Sequence, residues 1–163
     1  MGHMDSGNET VRFGAEKPNL PESLWEHRAH PLTPQGARRG RILVAEDDAD
    51  LRSLIQCALE IEQYEVFSFG NGLRALEIFR GNQDIDLLIT DMQMPLLSGE
   101  ELAKGLWEFH PKLAILFISG RKPSAQLKDL IRERPCSFLA KPFSLLELLD
   151  AVHHMMGVTG LPA

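Results

Sequence analysis

The sequence has few cysteines and no long hydrophobic run, and both absences limit what the protein can be. Its 163 residues include only two cysteines, Cys57 and Cys136, which lie far apart without the spacing of metal ligands. They favour two buried thiols in a reducing compartment over a disulfide framework or a zinc site. No stretch approaches the roughly 20 apolar residues of a membrane-spanning helix. We therefore expect a cytoplasmic domain without membrane contact.

Positive charge is also scarce. The chain has 17 Lys and Arg against 23 Asp and Glu, which gives a formal net charge of −6. Proteins that bind nucleic acid directly usually carry a basic face, so we expect no direct nucleic-acid binding. Residues 1–40 contain five groups of each sign. The entire negative excess therefore belongs to the rest of the chain.

The first 39 residues differ in composition from the rest. They open with Met1-Gly2-His3-Met4, which is typical of a cloning remnant, and they contain four of the ten prolines without a periodic apolar pattern. Residues 36–40 have the composition of a linker. We predict a tag remnant and flexible N-terminal linker over 1–39, a folded domain over 40–157 and a C-terminal tail over 158–163.

From residue 41 onward, short apolar runs alternate with amphipathic segments five times. The runs at 42–45, 65–69, 86–90, 113–118 and 137–140 predict strands, each followed by a helix. Strands that are apolar throughout need cover on both faces, which indicates a parallel sheet between two helix layers. The pattern therefore predicts an α/β fold with a doubly wound sheet.

Polar residues follow or end four of these predicted strands. Glu46 and Asp47 follow the first, Asp91 the third and Lys141 the fifth, while Ser119 ends the fourth. In a doubly wound sheet these positions meet at the carboxyl edge. Crowded carboxylates repel one another unless a cation is present, and oxygen ligands suit Mg²⁺. The set predicts a site that receives a phosphoryl group on a carboxylate, with the lysine and the hydroxyl as donors.

Four segments at these strand ends resemble the receiver domain of two-component response regulators. They are residues 42–48 (ILVAEDD), 91–99 (DMQMPLLSG), 117–120 (FISG) and 138–143 (FLAKPF). The resemblance covers about residues 40–156. It implies a flavodoxin-like (βα)5 fold, a doubly wound parallel five-stranded sheet in the order 2-1-3-4-5.

The resemblance also implies a role for each site residue. Asp91 would accept a phosphoryl group, with Lys141 and Ser119 as the other catalytic residues. The cofactor would be Mg²⁺, held by the following positions: Glu46 through a bound water, the carboxylates of Asp47 and Asp91, and the backbone carbonyl of Gln93. Ser119 and Phe138 would form the switch. The Lys141–Pro142 peptide bond would be cis, as is usual in this family.

The implied partners are a histidine kinase or histidine phosphotransfer protein, and a downstream protein. The downstream protein would bind a face formed by the fourth helix, fifth strand and fifth helix. A dimer of the domain that forms on phosphorylation is a further implied partner. The Ser-Gly pair after the fourth strand, with the unusual approach to the fifth strand, is more similar to C-terminal receivers of hybrid sensor kinases than to DNA-binding regulators. Residues 8–40 would then be the linker from a kinase domain.

Simpler interpretations exist for several of these residues. Asp48 suits a helix N-cap better than a metal ligand. Phe138 suits the core almost as well as a switch, and His153 and His154 suit the surface. Two other functions are a receiver-like scaffold that is never phosphorylated and an Asp-nucleophile phosphatase. The phosphatase would need a second Asp where Gln93 stands, so we expect a domain that phosphorylates itself and turns over no external substrate.

Overall fold

A computed structural model of the chain describes residues 39–80 and 84–157. The predicted linker before residue 39 and the predicted tail over 158–163 lie outside the described residues. The domain boundaries drawn from the sequence therefore stay predictions. None of the helices in the described ranges is long and apolar enough to cross a membrane.

Five strands alternate with five helices, as the apolar pattern predicts. The elements are β1 (Arg41–Ala45), α1 (Ala49–Ile61), β2 (Glu65–Phe69), α2 (Gly72–Phe79), β3 (Leu87–Asp91), α3 (Gly99–Trp107), β4 (Ala114–Ser119), α4 (Ala125–Glu133), β5 (Cys136–Ala140) and α5 (Leu145–Met155). All neighbouring strands are parallel, in the order β2-β1-β3-β4-β5. The predicted fold class and strand order are confirmed.

The core consists of two apolar layers, one on each face of the sheet. Successive strand residues point to opposite faces, so in β1 Leu43 enters one layer and Val44 the other. The first layer includes Leu102 of α3 and Leu127 of α4, whereas the second includes residues of α1 and α5. Both faces of β1, β3 and β4 are therefore covered, which explains why these strands are apolar at nearly every position.

The helices begin at the carboxyl edge of the sheet, where side chains cap them. Asp48 caps α1 by accepting hydrogen bonds from the backbone N–H groups of Asp50 and Leu51, as the sequence predicts. Ser98 and Ser144 start α3 and α5 with capping boxes, each with a glutamate three residues later. These caps satisfy backbone N–H groups in the first turn of each helix, at the same edge of the sheet as the strand ends.

Two expectations about buried and exposed residues are wrong. Cys57 is exposed, because the inward side of α1 is formed by Ile55, Ala58 and Leu59. His153 is buried with 7% exposure, because α5 packs its last turn toward the end of α1 and the start of β2. His154 is exposed, as expected.

Candidate functional site

Three carboxylates lie together at the carboxyl edge of the sheet. β1 pairs with β3 up to Ala45 and Thr90, so the next residues of both strands, Glu46 and Asp91, are neighbours. Oxygen atoms of Glu46, Asp47 and Asp91 all lie within 4.8 Å of one another. Glu46 is fully buried and Asp91 nearly so, whereas Asp47 is exposed. The cluster is therefore a recess that opens to solvent on the Asp47 side.

Lys141 contacts two of these carboxylates from the loop after β5. Its Nζ donates to Glu46 Oε2 at 2.9 Å and to Asp91 Oδ2 at 2.5 Å. Its backbone N–H donates to the Ser119 carbonyl at 2.8 Å, which ties the ends of β4 and β5 together. The Lys141–Pro142 peptide bond is cis, as the resemblance implies. The ammonium is therefore held directly over the carboxylate of Asp91.

Burial and pairing change the proton affinities of this pair. Burial raises the pKa of Glu46, although the hydrogen bonds from Lys141 and from the Asp48 backbone N–H oppose the rise. Partial burial lowers the pKa of Lys141, but the hydrogen bonds to Asp91 and Glu46 outweigh it, so the pKa lies above the ordinary value. Lys141 therefore remains a cation at neutral pH.

Ser119 and Gln93 border the cluster on the β3–β4 side. Ser119 is 3% exposed, and its Oγ accepts a hydrogen bond from the Arg121 backbone N–H at 3.1 Å. The Gln93 backbone N–H donates to Asp91 Oδ1 at 2.8 Å. The Gln93 side-chain oxygen, in the amide orientation that hydrogen bonding requires, accepts from Arg121 Nη1 and Nε at 3.2 and 3.3 Å. Arg121 thus connects the loops that follow β3 and β4.

Phe138 lies on β5, away from the carboxylates. It is half-buried, pairs in register with Phe117, and packs against the apolar layer that includes Leu127 of α4. The ring therefore lies on the α4 side of the sheet. This position is compatible with a core residue and with an aromatic switch residue. Its role as a switch stays a prediction.

Two residues that position the site were missed by the sequence analysis. Arg52 donates to the Glu46 carbonyl at 2.6 Å, which holds the backbone at the end of β1. Gly99 begins α3 so close to β3 that a Cβ there would lie 2.2 Å from the Asp91 carbonyl oxygen. The Ser98-Gly99 pair was a signal for the close approach of α3, but nothing in the sequence pattern singled out Arg52.

The donor set fits a small hard cation. It consists of oxygen atoms alone, and a cation would relieve the repulsion among three neighbouring carboxylates. Among the residues that the structure describes, no other group of three His, Cys, Asp or Glu side chains comes together in this way. One carboxylate is exposed to solvent, so an ion could approach with part of its water shell, as Mg²⁺ usually does.

Comparison with known proteins identifies close sequence relatives. Residues 42–153 match the family described as the response regulator receiver domain. The response regulator receiver protein CpdR of Brucella abortus (strain 2308) is 40% identical over 116 residues, which are 71% of this chain and 96% of that protein. The sensor kinase CckA of the same organism is 32% identical over 139 residues, which are 85% of this chain but 15% of the kinase.

Solved structures of similar sequence share the fold. A response regulator receiver domain protein from Clostridium thermocellum superposes with a TM-score of 0.63 at 29% identity, covering 72% of this chain and 94% of that one. The receiver domain of the hybrid histidine kinase CckA gives a TM-score of 0.62 at 32% identity, covering 72% and 99%. Sequence and fold therefore point to the same family.

Proposed function

Since the chain belongs to the response regulator receiver domain family of two-component signalling, we propose that it accepts a phosphoryl group on Asp91 from the phosphohistidine of a kinase or phosphotransfer protein. Receiver domains are signalling domains and generally not enzymes. The observation that carries the proposal is the contact of the Lys141 ammonium with Asp91 inside the three-carboxylate cluster. A carboxylate beside a fixed cation is suited to bind an incoming phosphoryl group.

In the transfer, a carboxylate oxygen of Asp91 attacks the phosphorus atom. The new oxygen–phosphorus bond forms as the nitrogen–phosphorus bond breaks, and the donor histidine, protonated beforehand on its other ring nitrogen, leaves as neutral imidazole. The backbone N–H of Gln93 keeps the Asp91 carboxylate oriented through its 2.8 Å hydrogen bond. Lys141 donates a hydrogen bond to a phosphoryl oxygen, which offsets the negative charge that accumulates there.

The acidic residues would hold Mg²⁺, which this family binds. The protein donors would be the carboxylates of Asp47 and Asp91, the backbone carbonyl of Gln93, and Glu46 through water. When bound, the ion supplies charge neutralisation for the phosphoryl oxygens. The contact of Glu46 with Lys141 opposes the rise in the Glu46 pKa that burial causes.

The response to phosphorylation would pass through Ser119 and Phe138. The Ser119 hydroxyl turns toward a phosphoryl oxygen, which draws the loop after β4 inward. Since Phe138 packs between β5 and α4, a movement of that loop changes the space available to its ring. The face formed by α4, β5 and α5 then changes its affinity for a downstream protein or for a second copy, as a population shift between two states.

Incubation with acetyl phosphate tests the acceptor directly. We expect a Mg²⁺-dependent, base-labile phosphoryl adduct in the parent protein and none in Asp91→Asn, measured by intact mass. Asp129→Asn, an exposed carboxylate on α4, is the matched control and should behave as the parent. An adduct that persists in Asp91→Asn would place the acceptor elsewhere.

The same experiment separates the two other functions. A protein without any adduct would be a scaffold that binds partners in one state. Steady turnover of a phosphate ester such as p-nitrophenyl phosphate would indicate a phosphatase. The identity of residue 93 argues against the phosphatase, because the side chain at the required acid position is the amide of Gln93, which contacts Arg121 and cannot act as a general acid.

We also infer that the domain is the C-terminal receiver of a hybrid sensor kinase in the cytoplasm. The alignment with the CckA kinase covers 139 residues, whereas the family match covers only residues 42–153. Similarity to a hybrid kinase thus extends beyond the receiver domain. The natural gene should encode a kinase ATP-binding domain before this segment, and a gene that encodes a receiver alone would contradict the inference.

A further inference from the structure

A second group of charged side chains lies at the opposite edge of the sheet, where the chain joins the domain. Arg39 Nη1 lies 2.9 Å from Glu62 Oε2, and His153 Nε2 lies 3.4 Å from the same oxygen. Arg39 precedes β1, Glu62 ends α1, and His153 belongs to the last turn of α5. Three parts of the chain that are distant in sequence therefore meet at one carboxylate.

The α5 side of this group is shielded from water, whereas the Glu62 and Arg39 side chains are 26% and 43% exposed. His153 and Tyr64 are 7% and 4% exposed, and their rings lie 6.4 Å apart. The Tyr64 hydroxyl is buried and interacts with Arg39. Burial raises the pKa of Tyr64, and the positive charge of Arg39 opposes the rise. The contact of His153 with Glu62 is thus partly buried, although His153 Nε2 makes no hydrogen bond within the described ranges.

The backbone at the junction is equally constrained. Gly40 has φ = +150°, and a Cβ there would lie 2.4 Å from Met156 Cε and 3.1 Å from Asp86 Oδ2. The same Asp86 oxygen accepts a hydrogen bond from the Arg41 backbone N–H at 2.7 Å. The chain therefore passes tightly against the end of α5 just before β1 begins. A shift of α5 would therefore change the packing of the Met156 side chain against Gly40.

We propose that Arg39, Glu62 and His153 form a junction clasp that couples the position of α5 to the point where the preceding part of the chain joins the domain. The proposal rests on the proposed function, because α5 belongs to the face that phosphorylation changes. Helix shifts of about 1–2 Å are typical of such transitions. A shift of that size would separate His153 from Glu62 and leave the carboxylate to Arg39 alone.

Coupling of this kind acts in both directions. If occupation of the acceptor site loosens the clasp, loosening the clasp by mutation must raise the affinity at the acceptor site. The segment before residue 39 could then report on, or influence, the state of Asp91. This gives the junction a regulatory role in addition to its structural one.

Hydrogen exchange tests the clasp without any phosphodonor. Glu62→Gln removes the shared charge and should speed amide exchange about two- to fivefold both at residues 40–41 and in the last turn of α5, the size expected of a partly exposed ion pair. His153→Gln should also speed exchange at residues 40–41, although it changes only α5. Glu60→Gln, an exposed carboxylate on the same helix, should change neither. If Glu62→Gln or His153→Gln leaves residues 40–41 unaffected, there is no clasp.

Addition of Mg²⁺ and beryllium fluoride tests the coupling. In the parent protein, the NMR signals of the His153 ring and the exchange at residues 40–41 should change together with signals around Asp91. In Glu62→Gln, the change at residues 40–41 should disappear, and the beryllium fluoride affinity should rise relative to the parent protein. A response around Asp91 without one at residues 40–41 in the parent would overturn the coupling. No response around Asp91 would instead overturn the proposed function.

Discussion

At the scale of single residues, Lys141 has the most demanding position in the domain. Its ammonium is shared between a fully buried carboxylate, Glu46, and the proposed acceptor, Asp91. A phosphoryl group on Asp91 would compete with Glu46 for the same cation. The lysine is therefore placed to respond to the chemical state of Asp91. Its backbone N–H donates to the Ser119 carbonyl, which connects that response to β4.

Substitution of Lys141 should separate phosphorylation from switching. We expect Lys141→Ala to bind Mg²⁺ nearly as the parent does, to form the adduct about 10–100-fold more slowly, and to lose the change in exchange on α4, β5 and α5. Mass spectrometry with acetyl phosphate and hydrogen exchange of the adduct measure the two effects. Lys128→Ala, on the exposed side of α4, is the control. A Lys141→Ala protein that switches normally would refute this role.

The two cysteines should differ in their reaction with iodoacetamide. Burial raises the pKa of Cys136 to about 11, whereas Cys57 is exposed on α1. Because the thiolate is the nucleophile, a Cys57→Ser protein should react very slowly at pH 8, and its rate should rise about tenfold per pH unit toward pH 11. Alkylation rates from intact mass measure this. Fast labelling of Cys136 at pH 8 would show that β5 opens readily.

The residues that meet at the candidate site could be predicted because each follows or ends an apolar strand. Glu46, Asp91 and Lys141 were placed together by the parallel sheet alone, without knowledge of any contact. Arg52 was missed because its function depends on the path of the backbone after β1, which no residue pattern shows. The expectation that His153 lies on the surface was wrong for a related reason. Its burial depends on how α5 packs against α1, which the apolar pattern of α5 does not show.

At the scale of elements, the approach of α3 to β3 determines the position of Asp91. The helix begins at Gly99, whose backbone N–H donates to the Met92 carbonyl at 3.2 Å. The close contact with the Asp91 carbonyl is possible only because residue 99 has no side chain. The first residue of α3 therefore packs directly against the backbone at the end of β3.

Gly99→Ala should destabilise the domain and displace the acceptor. The added Cβ would meet backbone atoms, which cannot move as a side chain can, so we expect a loss of about 1–3 kcal/mol in the free energy of unfolding. Urea denaturation measures the loss, and the rate of adduct formation should fall with it. Gly120→Ala, where a Cβ would meet nothing within 4 Å, should keep its stability. Equal stability of the two variants would contradict the close approach.

At the scale of the whole molecule, the doubly wound parallel sheet could be predicted because the sequence is consistent at several levels, whereas the strand order followed from the resemblance to receiver domains. A strand that is covered on both faces, such as β3, is apolar except at its polar carboxyl end. Each helix also begins with its own capping residue. The path of the chain before β1 could not be predicted in this way. The contacts of Arg39 and Gly40 depend on tertiary packing against Glu62 and Met156, which linker composition does not reveal.

The stability of the whole domain should depend on divalent cations. The carboxylates of Glu46, Asp47 and Asp91 come together only in the folded chain, so Mg²⁺ should bind the native state and raise the unfolding free energy, by about 2.7 kcal/mol at a concentration near 100 times Kd. Thermal denaturation with and without Mg²⁺ measures the rise, and a chelator should abolish it. Asp47→Asn should lose most of the rise, whereas Asp50→Asn, an exposed carboxylate in the first turn of α1, should retain it. If Asp47→Asn and Asp50→Asn respond to Mg²⁺ alike, the ion is bound somewhere other than the carboxylate cluster.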